Sequence, residues 1–205
     1  MRAIELLQEK FSRNKPVVCV DVQPAYMEHM PGAYPYNVAR FLTRQAGPIL
    51  MYVNADETGM TEDNIEHEIF PFWQETFEGI GGDFYEDGLP KMEFFDKGYG
   101  YLRSWMDNAV SIRTIIRVLR YMANNRMSDS RDIDQSILEK LVGDEWKDWM
   151  ADDPLSIGWV AMDQLKRYNN CYLIGGGRYE CLKEIAILMN AFNIKYTMVN
   201  SLIYG

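Results

Sequence analysis

Apolar residues recur along this chain in two rhythms. Four runs are apolar at nearly every position and rich in β-branched side chains: "PVVCVDV" (16–22), "PILMYVN" (48–54), "CYLIG" (171–175) and "KYTMVNSLIY" (195–204). A fifth, "KMEFFDK" (91–97), is shorter in apolar content. Runs of this kind, bounded by turn residues, are the pattern of strands buried on both faces. Between them, apolar positions fall three and four apart, the spacing of one helix face. Ala3, Ile4, Leu7 and Phe11 predict a helix over residues 1–13, and "NVARFLTRQAG" another, closed by Gly47. A third begins after Thr61, a candidate N-cap, and is disturbed at Pro71. "QPAYMEHMPGAYPY" and "GIGGDFYEDGLP" read as loops. Residues 101–168 read as helical throughout, with a stripe of Ile112, Ile115, Ile116, Leu119 and Met122. Asp132 and Gln135 suit a capping box before "IDQSILEKLV". "LSIGWVAMDQLKRY" and "ECLKEIAILMNAFN" complete the helices.

Short two-sided strands alternating with helices imply an α/β fold. The expectation is three layers: a mostly parallel central sheet of about five or six strands, with helices on both faces. At 205 residues and 47% hydrophobic content, one domain over residues 1–205 is sufficient, with a helical insertion at about 101–155. In open parallel sheets, ligands sit beyond the carboxyl ends of the strands. Three polar residues fall there: Asp21 after the first strand, Lys97 after the third and Cys181 after the fourth.

Composition narrows the function classes. A net charge of -9 disfavours nucleic-acid and anionic-membrane binding. No apolar run is long enough to span a bilayer, and "MRAIELLQEKFSRNK" lacks the apolar stretch of a signal peptide. Cys19, Cys171 and Cys181 are too few and too odd in number for a disulfide framework, so reduced thiols in the cytoplasm are expected. Two histidines, His29 and His67, make a His-rich metal centre improbable, and neither metal nor cofactor is expected.

Cys181 reads two ways. It begins a helix after "GGG", where unpaired N–H groups and the helix dipole lower a thiol pKa. Backbone N–H groups of such a turn can also stabilise an oxyanion. Yet Cys181, Ile185, Leu188 and Phe192 share a face, so the cysteine is equally readable as a small core residue. Asp21 can act as a base or cap a turn. A lone lysine such as Lys97 is ordinarily a solvated charge. Cys19 and Cys171 lie inside strands and read as core. Gln23, Tyr26, Tyr99 and Tyr179, at strand ends or in aromatic loops, could line a ligand pocket or simply pack. Six arginines and no lysine or glutamate lie between Arg103 and Arg131. Arg113, Arg117 and Arg120 share a helix face and could bind an anion, or pair with the protein's own carboxylates. Trp146 and Trp149 read as core or interface anchors.

"KPVVCVDVQPAY" resembles the first strand of isochorismatase-like cysteine hydrolases: an apolar run, then Asp, one residue, and Gln. "IGGGRYECLKEIAILMNAFNIKYTMV" resembles their nucleophile segment, with Gly175 six residues before Cys181. Lys97 fits the position of the family's lysine, and the order Asp, Lys, Cys is the family's order. Together the matches cover about half the chain, and residues 101–155 have no counterpart. The resemblance implies Asp21 as base, Lys97 as its ion partner and Cys181 as nucleophile in a covalent mechanism. It also implies a cis Gly176–Gly177 bond, with the N–H groups of Gly177 and Cys181 forming an oxyanion hole. Nicotinamidases of this superfamily bind a metal through an Asp-x-His pair and a further histidine after the second strand. Here "VNADETGMTED" keeps Asp56 but has no histidine at that spacing, which argues against that activity.

Three functions follow. One is hydrolysis of a small amide, imide or vinyl-ether-like substrate. The second is a catalytically silent member of the fold that binds a small molecule or nucleotide. The third is a protein-interaction module centred on the arginine-rich insertion. A homo-oligomer is expected, since pockets in this superfamily are often completed by a neighbouring subunit.

Overall fold

The computed structural model describes residues 12–53, 62–82, 92–97, 99–100 and 102–205, with side chains left undescribed for 62–68, 99 and 100. Most of the predicted first helix, Thr61, Asp56 and the side chains of His67 and Tyr99 lie outside these. In chain order come β1 (Val17–Val20), α1 (Tyr34–Leu42), β2 (Ile49–Val53), α2 (Glu62–Glu78) and β3 (Met92–Asp96). Then follow β4 (Tyr99–Gly100), α3 (Leu102–Asp107), α4 (Ile112–Asn125), α5 (Gln135–Val142) and β5 (Ser156–Ile157). The chain closes with α6 (Trp159–Arg167), β6 (Cys171–Gly175), α7 (Cys181–Ala191) and β7 (Tyr196–Met198).

Five strands form a parallel sheet in the order β3-β2-β1-β6-β7. β1 is central, with Val18 opposite Leu50 on one side and Leu173 on the other. Its four residues are fully buried, as a two-sided strand requires. The pleat sends Val17 and Cys19 to one face, with Val38, Leu42, Trp73 and Phe77 of α1 and α2. Val18 and Val20 join the opposite layer, with Ile115, Leu119, Leu165 and Ile185. Each such side chain contributes roughly 1.5–3 kcal/mol by leaving water. The three-layer α/β architecture is therefore present, with five strands in the main sheet.

The segment 101–155 is part of that second layer. Leu102, Trp105, Val118, Leu138, Val142 and Met150 lie in the same apolar cluster as Val18 and Leu50. Trp105 Nε1 also donates to Asp153 O at 2.7 Å. The longer stretch 101–168 is not helical throughout: it contains β5, which pairs with β4 in a small antiparallel ribbon, Tyr99 opposite Ile157. The buried stripe of α4 is Ile115, Val118, Leu119 and Met122, while Ile112 is exposed. Asp134, not Asp132, caps α5, its carboxylate accepting from the Ser136 N–H at 2.9 Å. Asp132 instead ends a short 3-10 turn. α1 begins earlier than predicted, at Tyr34, and stops well before Gly47. The last predicted strand is cut to Tyr196–Met198 and followed by a 3-10 turn, Asn200–Leu202. Among the described residues, no helix is long and apolar enough to cross a membrane.

Connections from β1 run outward to β2 and β3, and those from β6 run outward to β7. The strand order therefore reverses between β1 and β6. That reversal opens a crevice at the carboxyl ends of these two strands.

Candidate active site

Asp21 follows β1 directly and is fully buried. Its N–H donates to Tyr52 O at 2.8 Å, which extends the ladder by one residue. Its φ is 50°, left-handed backbone that few residues other than glycine adopt and that aspartate tolerates best. Lys97 follows β3 and is likewise held by its strand, its N–H donating to Val53 O at 2.9 Å. β2 lies between these strands, so the two side chains must meet across two inter-strand spacings, about 10 Å. They do: Lys97 Nζ donates to Asp21 Oδ2 at 2.6 Å, with side chains 6% and 0% exposed. Burial alone would lower the Lys97 pKa. The Asp21 charge, the Cys181 thiol, the Asp21 hydrogen bond and Glu184 outweigh burial and hold it above the usual lysine value.

On the other side of the crevice, β6 ends at Gly175. Its φ is 86°, and a Cβ there would lie 2.3 Å from Val20 O, so only glycine lets β6 finish against β1. Gly176 is also left-handed, with φ 55°. Gly177 O then accepts from the N–H groups of Glu180 (3.1 Å) and Leu182 (3.2 Å), closing the turn onto α7. The expected cis Gly176–Gly177 bond is not formed, since no peptide bond among the described residues is cis. Two consecutive left-handed glycines reverse the chain with trans bonds. In the described residues, neither the Gly177 nor the Cys181 N–H donates to a main-chain carbonyl.

Cys181 opens α7 and is half-buried. Its thiol lies within hydrogen-bonding reach of the Asp21 carboxylate. Burial pushes the thiol well above its ordinary pKa. The Asp21 charge, the Asp21 hydrogen bond and Glu184 add to this, while Lys97 opposes it. The expectation of a thiol acidified by the helix start is therefore overturned. Burial and a carboxylate beside the sulfur outweigh the lysine. The arrangement favours the proton on sulfur and the negative charge on Asp21, beside Lys97.

Other groups reach this centre. Glu184, buried one turn into α7, acts on both Lys97 and Cys181. Its only signal in the sequence is a carboxylate three residues after the cysteine. Arg103 of α3 bonds Asp107 at 2.9 Å and approaches Glu180 at 3.6 Å, beside the glycine turn before Cys181. The Tyr204 hydroxyl donates to Asp21 O at 3.4 Å. No motif singles out Tyr204, because it lies far from Asp21 in sequence.

The four candidate pocket residues separate. Gln23 is fully buried two residues beyond Asp21. Tyr26 is half-buried against the α1 and α2 layer, a packing role. Tyr179 is 74% exposed. Tyr99 has no described side chain. Several arginines of this stretch bond the chain's own groups. Arg117 bonds Thr114 Oγ1 on its own helix at 2.9 Å, and Arg120 caps the Asn190 carbonyl of α7 at 3.1 Å. Arg113 is exposed. Arg126 pairs with Asp163 and lies over the Trp159 ring at 4.1 Å. Arg131 pairs with Asp129. Among the described residues, no cluster of three or more His, Cys, Asp or Glu side chains could hold a metal.

Comparison with protein-family models, curated proteins and solved structures finds no match for this chain.

Proposed function

We propose that this chain is a cysteine hydrolase of the isochorismatase-like type, with Cys181 as nucleophile, Asp21 as general base and acid, and Lys97 as counter-ion. One observation carries the reading. A buried Lys97–Asp21 pair at 2.6 Å stands against the thiol that opens the helix across the switch point. A buried ion pair is weak as a stabilising device. Placed beside a nucleophile, it keeps a carboxylate ionised where water is scarce.

The steps follow from the resting protonation. Asp21 takes the thiol proton as the sulfur attacks the carbonyl carbon of a small amide or imide. The carbon–sulfur bond forms and the carbonyl electrons move to oxygen, where the Gly177 and Cys181 N–H groups are the available main-chain donors. The carbonyl re-forms and the carbon–nitrogen bond breaks, with the Asp21 proton passing to the leaving nitrogen. Water then attacks the thioester and gives its proton to Asp21, which returns it to the departing sulfur. Lys97 stays charged throughout and prevents Asp21 from keeping the proton at rest.

The test is a panel of small amides, imides and enol ethers assayed for product release, with quenched samples read by peptide mass. Turnover with a transient acyl mass on the Cys181 peptide, both absent in Cys181→Ala, supports the reading. Turnover that survives Cys181→Ala rejects it. Stoichiometric reversible binding with no turnover, unchanged by Cys181→Ala, assigns the silent small-molecule binder instead.

A further inference from the structure

Residues 200–205 cross the crevice end of the sheet as a strap. Tyr204 touches both sides of the switch point. Its main-chain O accepts the Arg178 N–H at 2.9 Å, and it forms a parallel bridge with Gly177, so it is paired to the nucleophile turn. Its hydroxyl donates to the carbonyl of Asp21 at 3.4 Å. Tyr204 is 9% exposed, and its ring meets the Tyr34 ring edge-on at 5.1 Å. Tyr34 in turn donates to Leu202 O at 2.8 Å, anchoring the strap from beneath.

The consequence lies at Asp21. Left-handed backbone at a residue other than glycine costs about 1–3 kcal/mol and persists only where its surroundings over-determine it. Both peptide groups of Asp21 are held, the N–H by Tyr52 O and the carbonyl by the Tyr204 hydroxyl. Held at the N–H and contacted at the carbonyl, the Cα is restrained from relaxing to negative φ, which would swing the carboxylate away from Lys97 and the thiol.

We infer that Tyr204 is a positioning residue, its phenol fixing the backbone that aims Asp21 while its own backbone fixes the turn that presents Cys181. This inference rests on the proposed hydrolase reading. The groups that act on the thiol are Asp21 from the end of β1, Lys97 from β3, Glu184 from α7 and Tyr204 itself; Cys19 and Glu180 act on Tyr204, and Arg103 acts on Glu180 and Glu184. Only Asp21 can accept the thiol proton through a bond that Tyr204 aligns.

The experiment measures alkylation of Cys181 by iodoacetamide against pH, in the full chain, by peptide mass. A base-assisted thiol reacts at a pH-independent rate across neutral pH, because thiol with carboxylate and thiolate with carboxylic acid carry the same number of protons. As the pH rises towards the thiol pKa the thiolate fraction grows and the rate climbs, levelling off above it. Tyr204→Phe keeps the ring and the main-chain bridge and deletes the hydroxyl. It is expected to lower the neutral plateau by about tenfold, the cost of a small misalignment, and to leave the alkaline limb in place. Asn200→Ala removes the exposed Arg178 Nη1–Asn200 Oδ1 bond (3.1 Å) that also ties the strap, without touching Asp21. It is expected to leave the plateau unchanged. A Tyr204→Phe profile equal to wild type, or an equal loss in Asn200→Ala, overturns the inference. If Tyr204→Phe does not fold, 3-fluorotyrosine at 204 takes its place. This stronger donor is expected to raise the plateau, and an unchanged plateau overturns the inference. Asp21→Asn run alongside separates the two claims. If it loses the plateau while Tyr204→Phe keeps it, only the role of Tyr204 fails. If it keeps the plateau, the hydrolase reading fails and the inference with it.

Discussion

At the scale of single residues, the centre depends on Lys97. Asp21 is fully buried and Lys97 nearly so, and neither charge is tolerable there alone. Removing one partner of a buried pair is more damaging than removing both. Lys97→Met is therefore expected to cost about 3–5 kcal/mol in urea unfolding, and the double variant Asp21→Asn, Lys97→Met to recover part of that loss. Equal losses in the single and double variants would show that the pair is not coupled. Asp21, Lys97 and Cys181 were legible in the sequence because Asp21 and Cys181 follow short buried strands, directly or through a glycine turn, and Lys97 directly follows the half-buried edge strand β3. A strand buried on both faces fixes where its next residue stands. Tyr204 and Glu184 were not, because their contacts depend on how distant segments cross. The acidity of Cys181 was misjudged for a related reason. A helix start is visible in sequence, but the depth of burial and the carboxylate beside the sulfur are not.

At the scale of elements, strands and helices were read where periodicity was strong, and their ends were misplaced where caps compete. In α5, Asp132 and Asp134 both precede an apolar run, and the bond to the Ser136 N–H selects Asp134. In α4 the chain offers Ile112 and Ile116 beside Val118, and helix geometry turns Val118 inward and Ile112 out. The β4–β5 ribbon was invisible because two residues per strand carry no alternation to detect. α4 also yields a direct check. Ser111 caps it, its hydroxyl accepting from the Thr114 N–H at 3.2 Å. Ser111→Ala is expected to lose about 1 kcal/mol, a fall in thermal midpoint of roughly 2–4 °C, and Ser111→Gly only a few tenths of that energy. A midpoint unmoved by the alanine variant would remove the cap from the account.

At the scale of the whole molecule, the sheet order makes the site. Because the chain winds outward from β1 in both directions, a crevice opens between β1 and β6, and the acid and the cysteine stand on its two sides. The segment 101–155, which read as an added insertion, supplies much of one helical layer, so deleting it would expose Val18 and Leu50 rather than trim a lid. That placement also explains the arginine-rich stretch. Arg120 and Arg126 tie α4 and its end to α7 and α6, a use that sequence spacing cannot distinguish from an anion site.

The central claim is that Asp21, held charged by Lys97, is the base for the Cys181 thiol. The most direct measurement is the alkylation rate of Cys181 from about pH 5 to about pH 10, in wild type and Asp21→Asn. The signs follow from the site: burial, the Asp21 charge and its hydrogen bond raise the thiol pKa, and Lys97 lowers it. Wild type is expected to show a flat neutral region and a late alkaline rise. Asp21→Asn loses both the proton acceptor and the charge that opposed the thiolate. Its rate is expected to climb about tenfold per pH unit through neutral pH and to level off earlier than in wild type. Superimposable profiles for the two proteins would contradict the account.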